Sequence, residues 1–329
     1  MEKLTSILVI VDPHNEMYRT LNKALVLARK FGAKLELFLC DSERAYVLKH
    51  SYVTQEIERS WNKAREQRAP YGEAVLAALH TDDLEQARQA CLADGLRYLE
   101  SLRESLRASD VEISVDVACH SPLYESIVHK VRETSPDLVI KTASGKHPMR
   151  RLSLDDNDWE LARACPSALM LTRERQWSDN PRFGAAVDVS DSNTCSLARM
   201  IVHTADFLAI GCHAELSMIY SEPKDDGTPT HATRRATLYQ LAYEHHVDVK
   251  SIHVLQGDAE HTLPAFAATQ DFDVFVLGAL TRKHGLAALV GTLTSKLVDS
   301  LDCDFVLVKP EMATSEQWGE VPVAAASGG

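Results

Sequence analysis

The residues best suited to chemistry lie late in the chain, in the spacing Gly278-x2-Thr281-x9-Gly291-Thr292. An apolar run from Asp273 to Gly278 leads into them, and a helix is predicted to begin near Leu293. Glycines let a backbone approach phosphate oxygens, and a helix start presents unpaired N–H groups with a favourable dipole. Tight turns also use glycine, so the spacing alone leaves both readings open. A second candidate is Asp188, which closes the apolar run "FGAAVD". A carboxylate at the end of a strand can accept hydrogen bonds from sugar hydroxyls.

Other constellations carry less. His245 and His246 are adjacent, so on a helix they point about 100° apart and cannot chelate as a pair. His253 falls in a predicted strand and is expected to be packed or hydrogen-bonded. His147 with Asp155 or Asp156 has the chemistry of metal ligands but forms no motif. No metal site is predicted. No Ser-His-Asp arrangement or nucleophile elbow is recognisable, so no catalytic residue is assigned. Trp61, Trp159 and Trp177 are read as packing anchors.

The elements that must position these residues form a repeat. "ILVIVD" (Ile7 to Asp12) is a β-rich strand, followed by a helical pattern from Met17 to Phe31 and a second strand, "LELFLC". The pattern returns with "FGAAVD", a helix over Thr194 to Ile210 ending at Gly211, and "AELSMIY". The blocks beginning at Asp137 and Asp273 align without a gap, at a constant offset of 136 residues (137 against 273). Third strands are predicted at Val111 to Cys119 and Val247 to Leu255. Alternating strands and helices imply parallel strands joined by right-handed crossovers. The expected fold is α/β, two tandem five-stranded parallel doubly wound sandwiches. The first domain spans 1–176, the second 181–310, and 311–329 is a fraying tail. The stretch from Ser42 to Ser109 is predicted to hold two or more amphipathic helices.

Composition narrows the partners. The 329 residues carry a net charge of −12, which argues against nucleic acid and anionic membrane surfaces. No leader and no apolar run of membrane-spanning length is recognised. Seven scattered cysteines, never spaced C-x-x-C, argue against a disulfide framework or structural zinc. A cytoplasmic location is expected.

The block "VLGALTRKHGLAALVGTLTSKLVDSLDCDFVLVKP" resembles the signature of the universal stress protein family, whose nucleotide-binding members carry Gly-x2-Gly-x9-Gly-(Ser/Thr). The duplication, the "DW" at Asp158–Trp159 and the "CP" at Cys165–Pro166 are similar to the E-type tandem subgroup of that family. The resemblance covers nearly the whole chain outside the tail. It implies sheets in the Rossmann-like strand order 3-2-1-4-5 and binding of ATP, with Mg²⁺, or of AMP. Asp188 would then hold the ribose, Ala186 would line the adenine pocket, and Gly278, Thr281, Gly291 and Thr292 would surround the phosphates. The middle glycine of the motif falls on Thr281. A β-branched residue would be strained there by about 1–2 kcal/mol if the position required positive φ.

In the first half, Thr142 replaces Gly278 and Asp155 replaces Gly291. Carboxylates there would repel phosphate, so only the second domain is expected to bind nucleotide. Lys141, in the register of Leu277, is expected either to pair with Asp12, because a buried charge needs a partner, or to carry its ammonium out to solvent. The apolar fifth strands, "SALMLTR" and "DFVLVKP", are expected to lie side by side as an intramolecular pseudo-dimer. A nucleotide-free scaffold and a slow ATPase, with His284 as its base, are the alternatives. Protein partners are left open.

Overall fold

The computed structural model describes residues 3–13, 17–46, 84–106, 110–143, 154–190, 192–222, 229–281, 289–290 and 292–309. The first half runs β1 (Ser6–Val11), α1 (Tyr18–Phe31), β2 (Lys34–Cys40), α2 (Leu84–Leu106), β3 (Ile113–Ala118), α3 (Leu123–Thr134), β4 (Leu138–Thr142), α4 (Asp156–Ala164) and β5 (Ala168–Thr172). The second runs β6 (Arg182–Ala186), α5 (Ser192–Cys212), β7 (Glu215–Glu222), α6 (Pro229–Glu244), β8 (Ile252–Gln256), α7 (Ala259–Ala267) and β9 (Val274–Gly278). It ends with the short strands β10 (Leu280–Thr281) and β11 (Leu289–Val290), then α8 (Thr292–Ser300) and β12 (Asp304–Val308). The tail, and most of the stretch between Ser42 and Ser109, lie outside the described residues.

Ten strands form one sheet in the order β3-β2-β1-β4-β5-β12-β9-β6-β7-β8. Each half therefore keeps the order 3-2-1-4-5. Every neighbouring pair is parallel except β5 and β12, which run antiparallel with Met170 opposite Val306. The fifth strands meet as the sequence leads one to expect, and their pairing removes two apolar edges. Because helices cover both faces, strands such as β1 are buried throughout, with Ile7, Val9 and Val11 facing α1 and α5 and with Leu8 and Ile10 facing the other layer. In each half the first two helices lie on one face and the last two on the other.

The halves are tied by matching contacts. Arg173, just past β5, donates to the Val298 carbonyl near the end of α8 (2.9 Å). Lys309, in the same register of the second copy, donates to the Arg163 carbonyl (2.9 Å) and to that of Cys165, at the end of α4. Each cation sits at the negative end of a helix dipole. Burial pushes the Lys309 ammonium down to about 8. Lys23 on α1 pairs with buried Asp304 at 2.8 Å, and Asp304 also accepts from the Trp177 indole.

Helix α5 continues through Gly211, where the sequence pattern suggests a stop. The Phe31 ring occupies that space, and an added Cβ would lie 2.0 Å from its Cζ. Phe31 also stacks on Phe207, with ring centroids 4.9 Å apart. The segment Cys195–Cys212 of α5 has a mean hydropathy of 1.3 over 18 residues, long and apolar enough for a membrane span by composition. The sequence reading passed over this run. In the fold, its Ala198, Ile201, Val202, Ala205 and Ala209 are buried in the core against the sheet and α1.

Candidate functional site

In an open parallel sheet, ligands sit at the carboxyl ends of strands where the winding direction reverses. In the second half that point lies between β6 and β9, which pair with Ala185 opposite Val276. Ala186 ends β6 and is nearly buried, on the face lined by Ile219, Leu277 and Ala279. Asp188 follows two residues later and is exposed. Its Oδ1 accepts the Ser190 N–H at 2.9 Å, which fixes the carboxylate at the mouth.

Gly278 ends β9 beside it. A Cβ there would lie 2.7 Å from Leu197 Cδ2, so the glycine lets α5 pack closely as well as leaving the mouth open. Its carbonyl accepts from the Thr294 hydroxyl at 2.9 Å, which holds the start of α8 against the end of β9. Thr281 lies in β10, paired antiparallel with Leu289 of β11. An extended strand suits a β-branched residue, so the strain considered for a positive φ does not arise. Thr292 is the first residue of α8. Gly291 and His284 lie outside the described residues. Strand β11 packs against α4, so the hairpin of the second half rests on the first.

The structure adds residues that the sequence reading did not single out. Tyr220, near the end of β7, is 2% exposed, and its hydroxyl has no hydrogen-bond partner among the described residues. Arg234 Nε is likewise buried and unpartnered there. Burial raises the Tyr220 phenol, Arg234 opposes this, and Asp188 and Glu222 add to it, so these groups share one neighbourhood. Glu222 is fully buried and accepts from Arg235 Nε (3.0 Å) and Gln256 Nε2 (2.7 Å), with His231 Nδ1 at 3.4 Å. Burial works to raise its carboxyl, yet these bonds hold it below the ordinary carboxylate range.

The first half fills the corresponding place. Thr142 takes the register of Gly278 and bonds the Thr20 hydroxyl at 2.7 Å. Asp155 caps α4 by accepting the Asp158 N–H at 2.8 Å. The Lys141 ammonium lies 2.6 Å from Asp158 Oδ1, with side chains 4% and 0% exposed, and also donates to the Thr142 carbonyl (3.2 Å). The carboxylate that anchors Lys141 is therefore Asp158, where the sequence pointed to Asp12. Asp158 holds the register of Thr294, so an ion pair stands where the second half has Leu277 and a capping hydroxyl. Carboxylates occupy the start of α4, where an anion would otherwise dock.

No group of three His, Cys, Asp or Glu side chains is placed to hold a metal ion among the described residues. His253 packs on Phe266 at 4.8 Å between centroids, and burial lowers the pKa of its imidazole. His147 lies outside the described residues. A cavity of about 200 Å³ lined by Arg175, Asp271, Phe272 and Cys303 lies beside the carboxyl ends of α7 and α8, away from the strand ends that carry the site.

A sequence model of the universal stress protein family matches residues 3–173. The universal stress protein E of Salmonella typhi is 22% identical over 330 residues, covering 94% of this chain and 96% of its own. Among solved structures, a functionally unknown protein from Pseudomonas aeruginosa PAO1 superposes with a TM-score of 0.69 at 23% identity, covering 94% of each chain. A universal stress protein from Archaeoglobus fulgidus does so at 0.63 and 12% identity, over 94% of this chain and 97% of its own.

Proposed function

The chain belongs to the universal stress protein family, and we propose that it is a cytoplasmic stress-response regulator whose second half binds one adenine nucleotide. The observation that carries the reading is the contrast between the two copies. At matched registers the second half has Gly278, Leu277 and Thr294, and the first has Thr142, Lys141 and buried Asp158. One copy keeps its strand end and helix start clear of carboxylates, and the other fills them.

In this reading Asp188 accepts hydrogen bonds from the ribose hydroxyls and Ala186 lines the base. The backbone around Gly278, Thr281, Gly291 and Thr292 donates to the phosphates at the start of α8, and Mg²⁺ offsets their charge. The orphaned Tyr220 hydroxyl near Asp188 supplies a further polar group that a ligand can satisfy. In this proposal the nucleotide acts as an effector.

Calorimetric titration of the full chain with ATP and Mg²⁺ tests this, beside Asp188→Ala and Gly291→Asp variants. The second substitution introduces the residue type that Asp155 supplies in the first copy. One-to-one binding, weakened or abolished in both variants, is expected. Absence of binding by the unsubstituted protein, together with no nucleotide released on denaturation, overturns the proposal in favour of a nucleotide-free scaffold.

A further inference from the structure

The first half carries a thiol cluster at the carboxyl ends of β2 and β3 that the nucleotide reading does not use. Cys40 ends β2, Cys119 directly follows β3, and Cys91 lies on α2. Helix α2 is drawn tightly onto the sheet one turn beyond Cys91. At Gly95 an added Cβ would lie 2.7 Å from Val117 Cγ1 and 3.3 Å from Leu39 Cδ2. Cys91 is 2% exposed and Cys119 is half-buried. The contact between Gly95 and Val117 places Cys91, one turn back along α2, beside Cys119, two residues beyond Val117, and each thiol perturbs the other. Cys40 is turned elsewhere, its thiol donating to the His120 carbonyl at 3.2 Å.

The second copy shows that the fold does not need thiols there. Cys40 pairs with Ala118 as Ser221 pairs with Leu255, so Gln256 stands in the place of Cys119. Its amide bonds Glu222 in an ordinary polar network. Where the second copy has an amide and a hydroxyl at these two strand ends, the first has Cys119 and Cys40, and it brings Cys91 of α2 up to Cys119.

We propose that Cys91 and Cys119 are a peroxide-sensitive thiol pair that closes to a reversible disulfide, tying α2 to the end of β3. Cys119, half-buried where Cys91 is only 2% exposed, is the sulfur that peroxide reaches and therefore the attacking one. Cys91 and then the Arg88 and Arg44 guanidiniums lower its thiol, against burial and Asp41. Cys91 is raised, by Cys119 and by burial. The Cys119 thiolate attacks one oxygen of hydrogen peroxide. An S–O bond forms, the O–O bond breaks, and the hydroxide released takes a proton to leave as water. The Cys91 sulfur then displaces the sulfenic oxygen, forming the S–S bond and expelling a second water with the Cys91 proton. The two thiols supply the two electrons that reduce the peroxide. Such partly accessible, acidified thiols beside a resolving cysteine are the reactive class.

Reduced full-length protein is treated with hydrogen peroxide, alkylated, and read by intact and peptide mass spectrometry. Two of the seven thiols are expected to be lost together, with a mass loss of two hydrogens and a Cys91–Cys119 cross-linked peptide that dithiothreitol reverses. In Cys91→Ser, Cys119 is expected to stop at the sulfenic acid and be captured by dimedone. In Cys40→Ser, the cross-link is expected to persist. Retention of all seven alkylatable thiols at peroxide levels that oxidise free cysteine overturns the proposal. So does accumulation of Cys119 sulfinic acid in the unsubstituted protein, or a disulfide that includes Cys40.

Discussion

Replacing Asp158 with alanine is expected to be among the most damaging single changes in the first half. Lys141 is 4% exposed and Asp158 is fully buried, with 2.6 Å between the ammonium and the carboxylate. Removing the carboxylate takes away the counter-charge 2.6 Å from a buried ammonium, at a cost of about 3–5 kcal/mol. Each kcal/mol moves the midpoint of a domain of this size by about 2–4 °C, so Tm is expected to fall by roughly 6–20 °C. Lys141→Leu removes the ammonium from the buried carboxylate instead and is expected to cost a similar amount. The second copy supplies the informative control. At the same registers it has Leu277 and Thr294, so the double variant Lys141→Leu, Asp158→Thr replaces the pair with a combination the fold already accepts. Its stability is expected to return to within about 1 kcal/mol of the parent, because apolar replacement of a buried ion pair is often neutral. Urea and thermal unfolding of the parent, Lys141→Leu, Asp158→Thr and the double variant give the coupling directly. An Asp158→Ala cost below about 1 kcal/mol would mean Lys141 reaches water or another carboxylate. A double variant as unstable as the singles would mean the pair is not what stabilises α4.

Other perturbations test the rest of the frame. Gly211→Ala places a methyl 2.0 Å from Phe31 Cζ and is expected to destabilise by about 1–3 kcal/mol through overpacking; adding Phe31→Ala should recover part of that loss in urea unfolding. Asp304→Ala strands Lys23, 5% exposed, and is expected to cost about 3–5 kcal/mol, with altered Trp177 fluorescence because the indole loses its acceptor. Glu222 has a folded acidity constant below its ordinary 4.5. Its contribution is therefore fully present above that value and lost as pH falls through the folded constant, so Glu222→Gln should flatten the acid limb of the stability curve.

Much of this was legible in the sequence because the duplication supplies an internal alignment. The strand order came with the family resemblance, and the β5–β12 pairing from two apolar edge segments that had to be covered. The place of Lys141 at the end of an apolar run left open whether it is buried in an ion pair or reaches solvent, and it did not point to the right partner. Asp158 lies beyond a long connection, and only the fold brings α4 over β4. A signal was present, since Lys141 and Asp158 depart together from Leu277 and Thr294. Gly211 looked like a helix stop because a Phe31 ring from the other half cannot be inferred from local pattern. Thr281 raised a strain argument that the β10–β11 pairing answers. Tyr220 and the Glu222 network escaped notice because a strand-end tyrosine or glutamate carries no motif of its own.

The most direct test of the central claim is photo-crosslinking of the full chain with an azido-adenine nucleotide, followed by peptide mapping with excess ATP as competitor. The account predicts a single competed adduct in a peptide of the second half, adjoining Ala186 and Asp188 or the segment from Gly278 to Thr292. An adduct adjoining Asp12 or Thr142, or equal labelling of both halves, would contradict it.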